Sequence, residues 1–281
     1  MMESPRQQSW YPAPGKLNLF LHVLGRRAEG AHAGYHELQS VFRLVERADR
    51  VGIAPRSDGE IRFAGLFERD NLVVKAAALL KARSGTRAGC DLALEKVLPV
   101  GGGMGGGSSD AATTLIVLNR LWQVGLERPA LAEIALELGA DVPFFLHGGN
   151  ALAEGLGERL KALDLPPAWY LVLTPQVSVS TKEIFASPSL TRDTKRLKIP
   201  PFFSGQGRND LEPVVTARYP EIASHLAWLK SRAPAARMTG SGACVFAEFG
   251  TEAQARAMLG ALPQGMSGFV TRGLERHPLQ D

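Results

Sequence analysis

The sequence predicts a two-domain protein of mixed α/β (α+β) class, with domains over residues 1–165 and 166–281. Segments with the spacing of strands alternate with segments whose apolar residues recur every three or four positions, as in helices. The run Leu165–Pro167 interrupts this alternation and marks the predicted boundary. With 281 residues, 45% hydrophobic and 21% charged, the chain is long and apolar enough to bury a core in each domain.

In the first domain, two extended segments precede a helix. Apolar residues occupy both faces of residues 17–24, which predicts a buried strand, and a second strand is expected at about 38–45. Residues 70–83 have helical spacing. Leu92 and Leu94 alternate with polar neighbours, so a strand is predicted there, reaching about Val97.

The clearest helix start in the sequence lies at Ser108–Asp110, because all three residues favour caps or first turns. Behind it, apolar residues recur at helical spacing through Trp122. For the second domain, the pattern predicts, in order, a strand at 169–175, a short helix at 180–185, a helix at about 220–231, a strand at 244–249 and a helix at about 251–261.

The composition argues against several classes of protein. No apolar run reaches the roughly 18 residues of a membrane span, and the first ten residues lack the order of a secretory signal, so a cytoplasmic location is expected. Cys90 and Cys244 are too few for a disulfide framework and are expected to be core thiols. The formal charge of +4 is spread along the chain, which disfavours a nucleic-acid partner. No histidine spacing indicates a transition-metal site.

The strongest functional signal is the segment Pro99–Asp110, PVGGGMGGGSSD, with six glycines in seven positions. Without side chains, its backbone N–H groups can turn inward, and the following helix adds the positive end of its dipole, so phosphate oxygens can bind there. A flexible surface loop is the alternative. A glycine run inside a domain costs conformational entropy, however, which a binding role would offset. Phosphate binding is therefore favoured.

Other phosphate-binding and catalytic loops fit this segment poorly. A Walker loop needs a lysine after its last glycine, where this chain has Ser108. GxGxxG is matched by accident in so glycine-rich a run, and the acidic residue expected about 20 positions later has only Glu127 as an approximate counterpart. The nucleophile elbow GxSxG is absent.

Three further segments carry candidate functional residues. Lys16, in PGKLN, could neutralise phosphate charge or be an ordinary surface lysine. Asp141, in GADVPFF, lies among small and apolar residues, where a carboxylate needs a partner or a role, although a helix cap is equally compatible. The segment MTGSGAC, residues 238–244, is a second glycine turn that leads into a strand.

Together, PAPGKLNLFL, GYHEL, LPVGGGMGGGSSDAA, GADVPFF and MTGSGACVF resemble the ordered motifs of the GHMP small-molecule kinases. The resemblance extends from about Trp10 to Phe249. It is greatest to the members that act on a cytidine-diphosphate-linked methylerythritol, because mevalonate, homoserine and galactose kinases share only the shorter glycine core. It implies an N-terminal half like domain 2 of ribosomal protein S5, a ferredoxin-like C-terminal half and an active site between them.

This resemblance implies transfer of a phosphoryl group from ATP, with Mg²⁺, to the 2-hydroxyl of the acceptor. Asp141 would be the general base, and Lys16 would orient the hydroxyl and keep the base ionised. Both roles suit phosphoryl transfer, since an alcohol is a poor nucleophile and the reaction depends on positioning and charge stabilisation. The metal ligands stay unknown. The residues implied to bind ATP are Lys96, Pro99, Val100, Gly101, Gly102, Gly103, Met104, Gly105, Gly106, Gly107, Ser108, Ser109, Thr239 and Gly240.

For the acceptor, the resemblance implies contacts that span the cytidine and methylerythritol parts. Tyr35 and Phe185 could sandwich the cytosine, because every base offers a π face, although each could instead be a core residue. A monomer or weak homodimer is expected. The residues implied to bind the acceptor are Asn18, Tyr35, His36, Thr181 and Phe185.

One segment departs from the family pattern. Residues Ala31–Gly34 look inserted before Tyr35, and the extra His32 could compete with His36 for the edge of the cytosine. The segment Asn209–Glu212, NDLE, also matches the family and is interpreted as structural. Gly15 and Met104 replace the more usual alanine and leucine without an expected consequence.

Two other functions compete with this prediction. A kinase of the same superfamily could act on a different small alcohol. The chain could also be a nucleotide-binding regulator or nucleic-acid module on an inactive kinase scaffold, but the presence of both Lys16 and Asp141 argues against that.

Overall fold

The computed structural model describes residues 8–29, 33–65, 71–198 and 207–280. It contains two β-sheets with helices packed on them, so the predicted mixed α/β class is confirmed. The predicted boundary at Leu165–Pro167 lies in the segment between the last strand of the first sheet and the first strand of the second. Within the described ranges, no helix is long and apolar enough to cross a membrane.

The first sheet is built around one long central strand. That strand, β2, pairs with β1 along most of its length and with β4 and β5 at its two ends. The pairs are antiparallel except β3 with β4, and the order is β3-β4-β2-β5-β6, with β1 on β2. The strands are β1 Ser9–Arg26, β2 His36–Arg56, β3 Ile61–Ala64, β4 Gly89–Glu95, β5 Ala151–Gly155 and β6 Arg159–Ala162.

Four helices cover one face of this sheet, and their apolar faces form the larger core with it. The first begins where the side chain of Asn71 accepts a hydrogen bond from the N–H of Val73, and it ends at Gly85, which has a left-handed conformation. The helices are α1 Leu72–Ser84, α2 Gly106–Leu121, α3 Arg128–Leu138 and α4 Val142–His147.

The second half has the ferredoxin-like topology. Its four strands are all antiparallel and lie in the order β10-β7-β9-β8, which is the 4-1-3-2 arrangement of a βαββαβ unit. The elements are β7 Trp169–Leu173, α5 Thr181–Ala186, α6 Glu212–Arg218, α7 Pro220–Lys230, β8 Arg237–Met238, β9 Val245–Phe249, α8 Glu252–Gly260 and β10 Gly268–Arg272.

The two halves share a core and exchange backbone hydrogen bonds. Apolar residues of β1 and β2 pack against Tyr170, Val172 and Phe246 of the second sheet. Beyond β10 the chain returns to the first half, where the N–H of His277 donates to the carbonyl of Gly148. Cys90 and Cys244 are both buried and free, as predicted, and burial raises the pKa of each thiol to about 12.

The structure also corrects several predicted boundaries. The first two strands are much longer than expected, because β1 and β2 stay paired through register shifts, including one between Pro14 and Lys16. The strand predicted to reach Val97 ends at Glu95, since the N–H groups of Val97 and Leu98 donate to Asp49 instead of to a strand. Helix α2 begins at Gly106, two residues before the predicted start. Strands β3, β5, β6, β8 and β10 and helices α3 and α6 were not predicted, and α4 was implied only by the helix-cap alternative for Asp141.

Candidate active site

A cleft of about 380 Å³ opens between the two halves, and the sequence motifs meet in it. Strand β1, the glycine loop and the start of α4 supply one wall. Helix α5 and the turn after β8 supply the other. Its polar and glycine lining includes Lys16, Asn18, Gly101, Gly103, Gly105, Ser108, Asp141, Thr181, Gly240 and Ser241.

The glycine loop connects β4 to α2 and lies with the N-terminus of α2 at the cleft. Gly105 is the N-cap residue of α2 with a φ of 70°, and a Cβ there would lie 3.2 Å from Cε of Lys16 and 3.0 Å from the ring of Phe145. Only glycine leaves this space open and adopts this conformation without strain. The loop therefore presents backbone and a helix N-terminus to the cleft, as an anion site requires.

The second half holds the glycine loop in place. The N–H groups of Ala243 and Cys244 donate to the carbonyls of Gly101 and Gly102, each at 3.2 Å. The hydroxyl of Thr239 donates to the carbonyl of Gly103, also at 3.2 Å. The turn 238–244, whose Thr239 and Gly240 were predicted to bind ATP, thus supports the glycine loop through these hydrogen bonds.

Lys16 is buried at the floor of the cleft, with only 3% of its surface exposed. Its N–H donates to the carbonyl of Met104, which ties β1 to the glycine loop. Its ammonium donates to Oδ1 of Asn18 at 2.5 Å and lies 4.7 Å from the centre of the Phe42 ring. These contacts exclude the alternative of an ordinary surface lysine.

Asp141 pairs with Lys16, with 3.2 Å between Oδ2 and Nζ. It occupies the N-cap position of α4, but its side chain makes no capping hydrogen bond. The carboxylate is 35% exposed and therefore reachable from the cleft. The helix-cap interpretation of this residue is thus not supported, whereas a carboxylate that faces a cation and open space is what proton transfer needs.

Asn18 links this pair to the second half. Its side-chain amide donates to the hydroxyl of Ser40 at 2.9 Å, which leaves its carbonyl oxygen facing Lys16. Its backbone N–H donates to Oγ1 of Thr239 at 3.0 Å. Thr239 has no exposed surface, so its hydroxyl supports Asn18 and Gly103 from behind the loop instead of lining the cleft.

Lys96 covers two buried carboxylates beneath the start of α2 and is itself about one-third exposed, with 31% of its side-chain surface accessible. Its ammonium contacts Oδ2 of Asp49 and lies 2.8 Å from Oδ2 of Asp110. Burial alone would lower the pKa of Lys96, but the neighbouring Asp110 and Asp49 raise it. Burial raises the pKa of Asp110 to about 7, against the opposing effect of Lys96. Lys96 is therefore a fixed cation next to Gly106.

Of the predicted acceptor residues, Asn18, Thr181 and Phe185 line the cleft. Tyr35 is 61% exposed, which excludes a core role, and the ring of His36 packs 5.0 Å from that of Phe185. The hydroxyl of Thr181 lies 2.6 Å from that of Ser241, a residue of the glycine turn. His32, the predicted competitor of His36, lies outside the described residues, as does Ala31.

The predicted nucleotide residues do not all face the cleft. Val100 is 82% exposed, whereas the side chains of Met104 and Ser109 are buried. Four residues with contacts in or near this site were not predicted from the sequence. Ser40, Asp49 and Arg192 lie outside the recognised motifs, whereas Ser241 lies within the glycine turn 238–244. Among the residues with described positions, no group of three or more His, Cys, Asp or Glu could hold a metal.

Comparison with known proteins agrees with this geometry. The model of the GHMP kinase N-terminal domain matches residues 71–149, and that of the C-terminal domain matches residues 191–268. A homoserine kinase from Cytophaga hutchinsonii superposes with a TM-score of 0.69 at 17% identity over 99% of this chain and 98% of that one, which shows a shared fold. Fold and site together define a GHMP-type kinase.

Relatives with higher sequence identity show which family of GHMP kinases the chain belongs to. The 4-diphosphocytidyl-2-C-methyl-D-erythritol kinases of Nitrosospira multiformis and Thiobacillus denitrificans are each 58% identical over 96% of this chain, covering 92% and 97% of those proteins. A crystal structure of 4-(cytidine 5'-diphospho)-2C-methyl-D-erythritol kinase superposes with a TM-score of 0.82 at 34% identity, over 95% of this chain and all of that one. The chain belongs to the family of 4-diphosphocytidyl-2-C-methyl-D-erythritol kinases within the GHMP kinases.

Proposed function

We propose that this enzyme transfers the γ-phosphoryl group of ATP to the 2-hydroxyl of 4-diphosphocytidyl-2-C-methyl-D-erythritol. The observation that carries the proposal is the pair formed by Lys16 and Asp141, 3.2 Å apart, beside the end of the glycine loop. A base and a cation lie there next to a backbone anion site. The family relatives supply the identity of the acceptor.

In this mechanism, Asp141 accepts the proton of the attacking hydroxyl. Lys16 pairs with this carboxylate at 3.2 Å and lies close enough to orient the same oxygen. Asn18 fixes the ammonium, so little reorganisation is needed when the acceptor arrives. These groups position the reactants and stabilise charge, which is most of what phosphoryl transfer requires of a protein.

The glycine loop would hold the phosphates of ATP through its N–H groups and the N-terminus of α2. Lys96 would contribute a positive charge beneath the same loop. Mg²⁺ typically keeps several waters and binds one or two protein oxygens besides the phosphates. Ser108 lines the cleft, and its hydroxyl fits that limited demand. Bound Mg²⁺ would neutralise charge on the phosphates.

The other end of the cleft would hold the cytidine part. Phe185 and the exposed Tyr35 offer aromatic faces for a base, and His36 offers a polar ring beside them. Thr181 and Ser241 lie between the two ends, where their hydroxyls could donate to the diphosphate. Because ATP is the donor, we also propose a cytoplasmic location, and we expect a monomer or weak homodimer.

Release of ADP, measured in a coupled assay with Mg-ATP, tests the proposal. We expect turnover with the cytidylyl acceptor and none above background with mevalonate or homoserine. CMP should compete with the acceptor and leave the affinity for ATP unchanged. Equal turnover of the three alcohols, or competition of CMP with ATP alone, would contradict the proposed acceptor.

A further inference from the structure

Two arginines converge on one nitrogen of His36. Nε of Arg26 lies 3.1 Å from Nε2 of His36, and Nε of Arg192 lies 3.0 Å from the same atom. Arg26 and His36 are cross-strand partners at the adjoining ends of β1 and β2, so the first contact is set by the register of the sheet. Arg192 comes from the segment that follows α5, in the other half of the molecule.

Arg192 is fixed by three backbone carbonyls at the end of α5. Its Nη2 donates to the carbonyls of Phe185 at 3.0 Å and Ser187 at 2.7 Å, and its Nη1 donates to that of Leu190 at 3.0 Å. A helix C-terminus leaves carbonyls without partners, and a cation there is favourable. Because the guanidinium is planar and held at both ends, its Nε–H has one direction, toward His36.

The chemistry of the guanidinium then determines the state of His36. Arginine has donors and no acceptor, so the nitrogen that receives both N–H groups must carry the lone pair. Burial, together with the charges of Arg26 and Arg192, lowers the pKa of His36 to about 4, so its ring is neutral near neutral pH. A neutral imidazole with its lone pair on Nε2 carries its proton on Nδ1.

We infer that Arg26 and Arg192 are positioning residues that hold His36 as the Nδ1–H tautomer, so that the acceptor site selects a base with a ring acceptor. The inference rests on the proposed function, since His36 packs on Phe185, which lines the cleft. Cytosine presents an unprotonated N3, which can accept from Nδ1–H. Uracil presents N3–H, which opposes it. Without the arginines, His36 could take the other tautomer and accept from uracil.

The selectivity test compares the cytidine-linked acceptor with its uridine-linked analogue in kcat/KM. Arg192→Met, Arg26→Met and the double variant remove the donors and keep most of the apolar stem. Arg196→Met is the matched control, because Arg196 lies in the same segment and pairs with Glu154 at 2.8 Å. We expect the cytidine preference to fall about ten- to a hundredfold in the double variant, the size of an unmatched buried hydrogen bond. The control should keep the full preference.

A second measurement needs no arginine variant. In wild-type enzyme with ¹⁵N-labelled histidines, long-range nitrogen–proton correlations report which ring nitrogen of His36 is protonated, and loss of the signal in His36→Gln assigns it. We expect protonated Nδ1 and unprotonated Nε2. A protonated Nε2, a mixture of tautomers, or an unchanged base preference in the double variant would each overturn the inference.

The same assays distinguish a failure of the proposed function from a failure of the inference about Arg26 and Arg192. If the wild-type enzyme phosphorylates neither acceptor, the proposed function falls and the selectivity inference falls with it, whatever the tautomer. If it phosphorylates the cytidine-linked acceptor and the double variant has the same base preference, only the inference about Arg26 and Arg192 is lost.

Discussion

The phosphate end and the base end of the cleft are built in different ways. At the proposed phosphate end, backbone groups face the cleft, and hydrogen bonds from the second half support them, as the contacts of Ala243 and Cys244 with the glycine loop show. At the base end, side chains from separate segments meet, and Tyr35 is largely exposed. The first end therefore has the preformed backbone geometry that an anion site needs, whereas the second depends on a few charged and aromatic contacts.

This difference explains which parts of the protein tolerate change. A glycine loop that uses N–H groups leaves little room for side-chain variation, since a Cβ at Gly105 would enter the space between Lys16 and Phe145. At the base end, the contact between His36 and Arg192 joins residues that lie 156 positions apart in sequence. We therefore expect the phosphate end to define the kinase class and the base end to define the substrate.

The largest expected effect is on catalysis at the phosphate end. Asp141→Asn removes the carboxylate that faces Lys16 and should lower kcat by about 10² to 10⁴, the usual contribution of a general base. Since the side chain does not cap α4, the thermal midpoint should stay close to that of the wild type. A steady-state assay and a thermal melt check both points. An unchanged kcat would remove Asp141 from its proposed role.

The next effect tests the charge cluster beneath the loop. Asp49 is fully buried and accepts from the N–H groups of Val97 and Leu98 besides pairing with Lys96. Asp49→Ala leaves these groups unpaired, so the free energy of unfolding should fall by about 3–5 kcal/mol. Urea denaturation of the wild type and of Asp49→Ala measures this difference in the free energy of unfolding.

The matched control for this variant is Glu95→Ala. Glu95 pairs with Arg50 at 3.0 Å at an exposed position of the same sheet. Removing this exposed ion pair should lower the free energy of unfolding by less than about 1 kcal/mol. Equal losses in the two variants would mean that burial of the Asp49 cluster has no energetic consequence.

Sequence reasoning succeeded where local structure depends on one short segment. The glycine run predicted both the loop and the helix after it. For Asp141, the local residues left a helix cap and a functional role equally open, and its role as the base stays a prediction. Sequence reasoning did not identify Asp49 or Arg192. The partners of Asp49 lie near residue 97, and Arg192 contacts His36. No local sequence pattern predicts contacts between residues so far apart in the chain. Strand β5 was missed because its short alanine-containing sequence becomes a strand only between β2 and β6.

A smaller effect is expected at the junction of the two halves. Thr239→Val leaves the buried N–H of Asn18 and the carbonyl of Gly103 without their hydroxyl partner, which should cost about 1–3 kcal/mol. Because Asn18 also holds Lys16, kcat should fall as well. Thr239→Ser keeps the hydroxyl and should therefore keep most of the stability and most of kcat. If valine and serine give the same stability and rate, the hydroxyl does not couple the halves.

The smallest expected effect is on the pH dependence of stability, to which His36 and Asp110 contribute with opposite sign. The pKa of His36 falls from 6.5 to about 4 in the folded protein, so only the unfolded chain binds its proton between these values. Its stabilising contribution is present above pH 6.5 and is lost as the pH falls toward 4. The pKa of Asp110 rises from 3.8 to about 7, chiefly by burial, so its contribution is present below pH 3.8 and is lost as the pH rises through 7.

Urea denaturation between pH 5 and pH 8 separates these two contributions. His36→Gln should reduce the loss of stability on the acid side, by less than about 1 kcal/mol at pH 5.5, because part of the ring's surroundings is solvent. Asp110→Asn should remove a loss of stability that occurs as the pH rises from 5 to 7. The two pH ranges overlap, so between pH 5 and 6.5 the two variants should change the slope of stability against pH in opposite directions. If both variants changed the slope in the same direction, at least one of the two assignments would be wrong.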